Sequence, residues 1–180
     1  MGYETRDPRE TKETLQPEAG EQRRLSPTGQ RAMQGRDVYV PRPDDVNFTD
    51  GQGRPIAIRT FSGSDQTYIR AYDRNVQTPP ERPDPGQAGY ANLKLEPDQT
   101  GNTRARLQDI YTAPAYRDNG VGSTMLNQAE KVAGQGGASE IYGSLSYEAR
   151  NEAAVHKFYH NHGYSTRTSA QGGEEVYKKI

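Results

Sequence analysis

The sequence predicts a mixed α+β domain, and three observations carry that expectation. Four alternating apolar and polar runs come first, at residues 55–61, 67–74, 88–95 and 103–112, each bounded by turn-forming residues. A segment of helical period, 121–133, and a strand-like run, 140–146, come next. A second helix after Asn151 leads to two last strand runs, 164–168 and 175–180. Antiparallel strands succeeded by strand–helix units give a central, mostly antiparallel twisted sheet flanked by helices.

Residues 1–53 stand apart from that pattern. They mix Glu, Arg, Gln, Pro and Gly with scattered apolar residues such as Leu15, Leu25 and Met33, so they read as a polar, disordered or loosely attached arm. A short helix over 10–15 is the one element they offer, bracketed by Pro8 and Pro17. The folded domain is expected over 54–180. A hydrophobic content of 31% fits a chain that is folded only in part.

Within the domain each boundary has a local cause. Ser62, Gly63, Ser64 and Asp65 form a turn between the first two strands. The proline-rich stretch 78–86 cannot enter a sheet interior and reads as a loop. Residues 98–102 make a hairpin turn, and Pro114 ends the fourth strand. The first helix puts Val121, Met125, Ala129 and Val132 on one stripe, and Gly134, Gly136 and Gly137 stop it. Asn151 is the expected N-cap of the second helix, which turns Ala154, Val155, Phe158 and Tyr159 inward and has Gly163 at its C′ position.

Composition excludes several functions. With no cysteine there is no thiolate nucleophile, no disulfide and no cysteine-held zinc, which fits a reducing, cytoplasmic setting. A net charge of -1 gives no global reason to expect a nucleic-acid or membrane partner. No apolar run reaches transmembrane length. His156 and His160 share a helical face, but no His-Glu-x-x-His pattern or third ligand accompanies them, so no metal is expected.

The densest signal lies between the fourth strand and the first helix, at Arg117, Asp118, Asn119, Gly120, Val121, Gly122 and Ser123. A glycine-bearing turn opening a helix leaves backbone N–H groups unpaired and backed by the helix dipole, which makes an anion cradle suited to a pyrophosphate. Arg117-x-x-Gly120-x-Gly122, with Asn151, Ala154, Tyr159, Gly163 and Tyr164 downstream, resembles the two motifs of the GNAT superfamily of N-acetyltransferases. The resemblance covers roughly residues 55–180. Tyr159 keeps the usual distance to Gly163 but stands one residue further from Asn151 than is common.

That resemblance implies acetyl-CoA as acyl donor and a primary amine as acceptor, in a monomer or homodimer. The fourth and fifth strands are expected to splay, often with a bulge in the fourth. Leu107 and Ile110 hint at such a bulge, since three residues apart they cannot share a face of a regular strand. Backbone groups of Ile110, Tyr111 and Thr112 would pair with the pantetheine arm. Residues 118–123 would hold the pyrophosphate, with charge from Arg117, and Asn151 and Tyr159 would line the far side. Tyr159 is the implied general acid. Its plainer reading is a core aromatic.

Asp109 is a candidate base acting through water, and its plainer reading is a solvated strand carboxylate. Tyr142, Ser144 and Ser146 are further candidates for holding that water. Tyr68, Tyr72 and Tyr90 read either as half-buried strand aromatics or as an aromatic substrate surface. Family members usually carry two helices between the first two strands, and the six residues between Thr60 and Thr67 leave no room for one, so either those helices are absent or the N-terminal arm supplies a substitute. An open acceptor face of that kind suits a protein or peptide amine, with the loop 78–86 at its rim. A noncatalytic CoA-binding or protein-interaction module with the same fold is the alternative.

Overall fold

The computed structural model describes residues 42–63, 66–76, 86–170 and 172–180. The expected helix over 10–15 and nearly all of the loop 78–86 lie outside them. One eight-stranded sheet dominates, in the order β1-β2-β3-β4-β5-β6-β8-β7. Its strands are β1 (Val46–Thr49), β2 (Pro55–Ser62), β3 (Thr67–Asp73), β4 (Gln87–Pro97), β5 (Thr103–Thr112), β6 (Glu140–Ser144), β7 (Ser165–Thr168) and β8 (Glu174–Lys179). Three helices join them, α1 (Val121–Gln135), α2 (Tyr147–Arg150) and α3 (Ala153–Asn161). Every neighbouring pair of strands is antiparallel except β5 and β6, which are parallel.

The sheet starts earlier than the expected boundary at residue 54. β1 pairs with β2 through Val46↔Ile58 and Phe48↔Ile56, and both of its apolar side chains pack on the core. Charge at its ends hid this strand from a compositional reading. Asp45 and Asp50 are buried, and each is satisfied by an arginine, Arg59 of β2 and Arg54 just before it. Arg59 donates to both carboxylate oxygens of Asp45 at 2.8 and 2.9 Å, and Arg54 Nε donates to Asp50 at 2.7 Å. Burial works against the Asp50 anion, but bonds from Arg54 and the amides of Arg54 and Gln52 outweigh it and hold the carboxyl below its ordinary value.

The core lies between the sheet and α1. Val121, Met125, Leu126, Ala129 and Ala133 of α1 are buried against Ile69, Ala91, Leu93 and Leu107. α1 ends as its glycines predict: Gly137 N–H bonds Gly134 O and Ala138 N–H bonds Ala133 O, each at 3.0 Å. α3 ends the same way, with Gly163 at φ 80 and Tyr164 N–H reaching Tyr159 O at 3.1 Å. Its beginning differs from expectation. Residues 147–150 already form a helical turn, so the extended cap residue is Glu152 (φ -94, ψ 105), one position after Asn151.

Ionic contacts tie β4, β5, β6, β7 and β8 together at one place. Arg167 bonds Glu140 at 2.8 and 3.0 Å and Glu175 at 3.2 Å. Arg104 lies 4.0 Å over the Tyr142 ring, and the Tyr142 hydroxyl donates to Glu96.

Gly89 is a point of close approach between the sheet and α1. A Cβ there would stand 2.5 Å from Tyr111 O and 2.7 Å from Met125 Cε. Gly89→Ala is expected to destabilise the protein by about 1–3 kcal/mol through overpacking. Urea unfolding of the two proteins, read by circular dichroism, checks this.

Candidate active site

The site begins where β5 and β6 part. β5 follows β4 along its whole length except at Gln108, where the register slips between Asn92↔Asp109 and Leu93↔Leu107. This bulge puts Leu107 and Ile110 on the core side, as their shared apolar character predicts, and leaves Asp109 on the opposite face beside Asn92. β6 pairs with β5 only at Ala105↔Ile141 and Arg106↔Tyr142. From Gly143 onward it stays with β8 and leaves β5. At the point of parting, a Cβ on Gly143 would come within 3.0 Å of Leu107 O. Beyond it opens a groove of about 790 Å³.

One end of the groove is the start of α1. The chain turns there through two left-handed residues, Asp118 at φ 59 and Gly120 at φ 88. Aspartate tolerates that region and glycine is at home in it. The first intrahelical bond runs from Thr124 N–H to Gly120 O at 3.0 Å, and no side chain caps the helix. Helix geometry therefore leaves the amides of Val121, Gly122 and Ser123 without intrahelical partners. The two glycines differ. A Cβ at Gly120 would enter open space, whereas one at Gly122 would press on Thr112 Oγ1 at 3.1 Å and the Phe158 ring at 3.5 Å. Gly122 is thus needed for the close approach of α1 to β5 and α3. Arg117, at the groove wall, donates through Nε to Thr112 O at 3.1 Å.

The other end holds Tyr159 and Asp109. Tyr159 is only 7% exposed, with its ring edge-on to Phe158 and Tyr164 at 5.3 and 5.4 Å. It belongs to the core, as its plainer reading expects, and it also lines the groove. Burial, and then the charge of Asp109, push its phenol up to about 12. It stays protonated at neutral pH. Asp109 is exposed and accepts a hydrogen bond from the Tyr90 hydroxyl at 2.9 Å.

Most expected residues meet here: Asp109, Ile110, Tyr111, Thr112, Arg117, Asp118, Gly120, Gly122, Ser123 and Tyr159 all line the groove. Three lie elsewhere. Val121 is fully buried, Asn151 is exposed between α2 and α3, and Asn119 bonds Arg117 O through its side chain at 2.7 Å. Ser144 and Ser146 line the groove, but Tyr142 does not, its hydroxyl being engaged by Glu96. Sequence reasoning missed Gln108, Leu145 and Ala149 as groove residues. Of these only Gln108 had a signal, the mismatched phase of Leu107 and Ile110. His156 and His162 each bond a backbone carbonyl, and no metal-holding group of three occurs among the described residues.

The decisive comparison is with protein families: a model described as Acetyltransferase (GNAT) family matches residues 60–164. The chain belongs to the GNAT acetyltransferase family. A search of curated proteins finds no match. Among solved structures, the chain is similar to the PaiA N-acetyltransferase of Thermoplasma acidophilum, crystallised with coenzyme A, at 21% identity and a TM-score of 0.50. That alignment covers 64% of this chain and 62% of the Thermoplasma chain. It is also similar to a chain of the NatC complex bound to Gag peptide and CoA, at 14% identity and a TM-score of 0.50, covering 63% of this chain and 70% of that one. At these identities the likeness is one of fold.

The raised Tyr159 phenol has a measurable consequence. Between its ordinary value of 10.0 and about 12, the unfolded chain releases this proton and the folded chain keeps it. The resulting stability is complete below pH 10 and falls as pH rises through that window. Tyr159→Phe is expected to lose less stability over the same pH range, checked by urea unfolding from pH 9 to 12.

Proposed function

We propose that this GNAT-family protein moves an acetyl group from acetyl-CoA to a primary amine of a peptide or protein. The observation that carries this reading is one groove with an anion cradle at the start of α1 and a protonated phenol beside a carboxylate at the other end. The residues suit a CoA donor. Gly120 faces open space, three amides stand unpaired at the helix start, and the groove edge of β5 has no strand beside it after Arg106 among the described residues. The CoA-bound Thermoplasma structure supports the same choice.

Each residue then has a role. Backbone groups of Ile110, Tyr111 and Thr112 receive the amide-bearing arm of the donor, as an added strand would be received. The amides of residues 118–123 hold its pyrophosphate, and Arg117 adds positive charge. Asp109 draws a proton from the incoming ammonium, because only the neutral amine attacks a carbonyl. Tyr159 donates a proton to the departing sulfur. A buried phenol suits this task, since its environment keeps the proton in place until an anion forms beside it.

The acceptor side is open. β2 and β3 are joined by a tight hairpin, with Ser62↔Thr67 paired and Gly63 N–H bonded to Gln66 O at 2.7 Å, so no helix stands between them. The sheet face carrying Tyr68, Arg70 and Tyr90 is half-buried, and Tyr111 on it is 41% exposed. An extended chain fits such a face better than a small enclosed metabolite. The peptide-bound NatC complex, which shares the fold, supports that reading.

Calorimetry with acetyl-CoA, followed by thiol release with a panel of lysine-bearing and free-N-terminal peptides, tests the proposal. Binding together with turnover is expected. Tyr159→Phe should lower kcat about 100-fold and leave acetyl-CoA affinity unchanged. Binding without turnover on any amine would instead mark a noncatalytic module.

A further inference from the structure

The proposed base is not isolated on its strand. Asp109 Oδ2 accepts the Tyr90 hydroxyl at 2.9 Å, and this bond reaches diagonally from β4 to β5, since the residue directly opposite Tyr90 is Tyr111. Tyr111 packs against the Tyr90 ring with centroids 5.5 Å apart. From the other side Arg70, the direct partner of Tyr90 on β3, lies over the same ring at 5.2 Å. Arg70 Nη1 also donates to Asn92 Oδ1 at 3.0 Å, and Asn92 is the residue paired with Asp109. The Tyr90 ring thus stands between Tyr111 and Arg70 while its hydroxyl bonds the carboxylate. Tyr90 does not line the groove, whereas Asp109 does.

We propose that Tyr90 is a positioning residue that acts through Asp109. It fixes Oδ2 so that Oδ1 is presented to the acceptor ammonium, and Arg70 holds the Tyr90 ring in place. The inference rests on the acetyltransferase reading above. The bulge at Gln108 makes the arrangement possible. Without it, the register of Leu93↔Leu107 would continue, put Gln108 opposite Asn92 and Asp109 opposite Ala91, and so carry Asp109 away from the face that bears Tyr90.

An exposed aspartate on a strand otherwise samples several rotamers, and a charge-assisted bond to one oxygen removes that freedom. A proton of the ammonium passes to Oδ1, directly or through one water, and the freed amine attacks the thioester carbonyl as the carbon–sulfur bond breaks. Over the whole reaction the nitrogen loses two protons. One ends on the CoA sulfur and the other in solvent. The Tyr90 phenol keeps its own proton throughout, consistent with its upward displacement, caused first by the bond to Asp109 and then by burial.

A double-mutant cycle on the full chain tests this. Tyr90→Phe keeps the ring and its packing and removes only the hydroxyl. With acetyl-CoA and lysine-bearing peptides, Tyr90→Phe is expected to lower kcat about tenfold, with acetyl-CoA affinity and melting temperature unchanged. In an Asp109→Asn background the same change should have no further effect. Ring-carbon NMR of tyrosine gives a second readout, in which Asp109→Asn should bring the Tyr90 titration back down. A tenfold loss in both backgrounds, or no loss in either, overturns the proposal while acetyl transfer stands. Full activity of Asp109→Asn removes the base and with it the role of Tyr90. Failure of the wild type to bind acetyl-CoA, or to acetylate any peptide, overturns both readings together.

Discussion

The early parting of β5 and β6 is the constraint on which the site depends. The two parallel strands share two residue pairs and then separate, because β5 stays paired with β4 through its bulge while β6 stays with β8. A sheet ordinarily satisfies its backbone groups by continuing its ladder, and an unpaired ladder kept dry costs free energy. Here the ladder stops beside an open groove, where water or an amide-bearing ligand can complete it. The ion-pair group of Arg104, Glu140, Arg167 and Glu175 lies at the closed end and joins four strands there. Closure at one end and bulging at Gln108 together turn a flat sheet into a cleft with a fixed apex.

The proposed anion cradle is built before any ligand arrives. The turn ahead of α1 is braced from behind by contacts to the β1–β2 turn and to the end of β3. Asn119 O accepts Gly51 N–H at 3.1 Å, Tyr116 donates to Asp73 at 3.0 Å, and Arg54 stacks 4.0 Å over the Tyr116 ring. Burial, and then the bond to Asp73, raise the Tyr116 phenol, so this brace persists at neutral pH. Arg54 is itself held by the buried Asp50. The β1–β2 turn, which reads as part of a polar arm, therefore supports the loop that presents the helix amides. Rigid support of this kind removes the ordering cost that a mobile phosphate loop would meet on binding.

Sequence and structure agree where the signal is local. Gly163 was legible as a C′ residue because only a left-handed position ends a helix in that way, and its φ of 80 shows the same requirement. The bulge was legible because Leu107 and Ile110 break the two-residue period of β5. What stayed hidden depends on partners far along the chain. Asp45 and Asp50 look like solvent-facing charges until Arg59 and Arg54 are placed beside them. Tyr142 looks available to hold a water until Glu96, 46 residues away, occupies its hydroxyl. Asn151 looks like a cap until the preceding turn α2 shifts the helix start by one residue. Local rules fix conformation, and only tertiary contact decides which polar groups remain free.

In the proposed function the same distinction governs acceptor choice. A helix pair between β2 and β3 would wall a pocket, and its loops would decide what enters. The short hairpin removes that layer, so discrimination falls to side chains standing directly on strands. Strand positions are held by two ladders and move little, which favours recognition by fixed aromatic and polar groups over closure around a ligand. Tyr90 and Arg70 are such groups, and Tyr111, laddered among the described residues to β4 alone, packs on Tyr90, with ring contacts of 5.2 and 5.5 Å joining the three. A surface of this kind cannot enclose a small molecule, but it can orient one amine among many on a longer chain. In the proposed reaction it does so by fixing the carboxylate that the amine must reach. Selectivity and proton removal in that proposal rest on the same few atoms around Asp109.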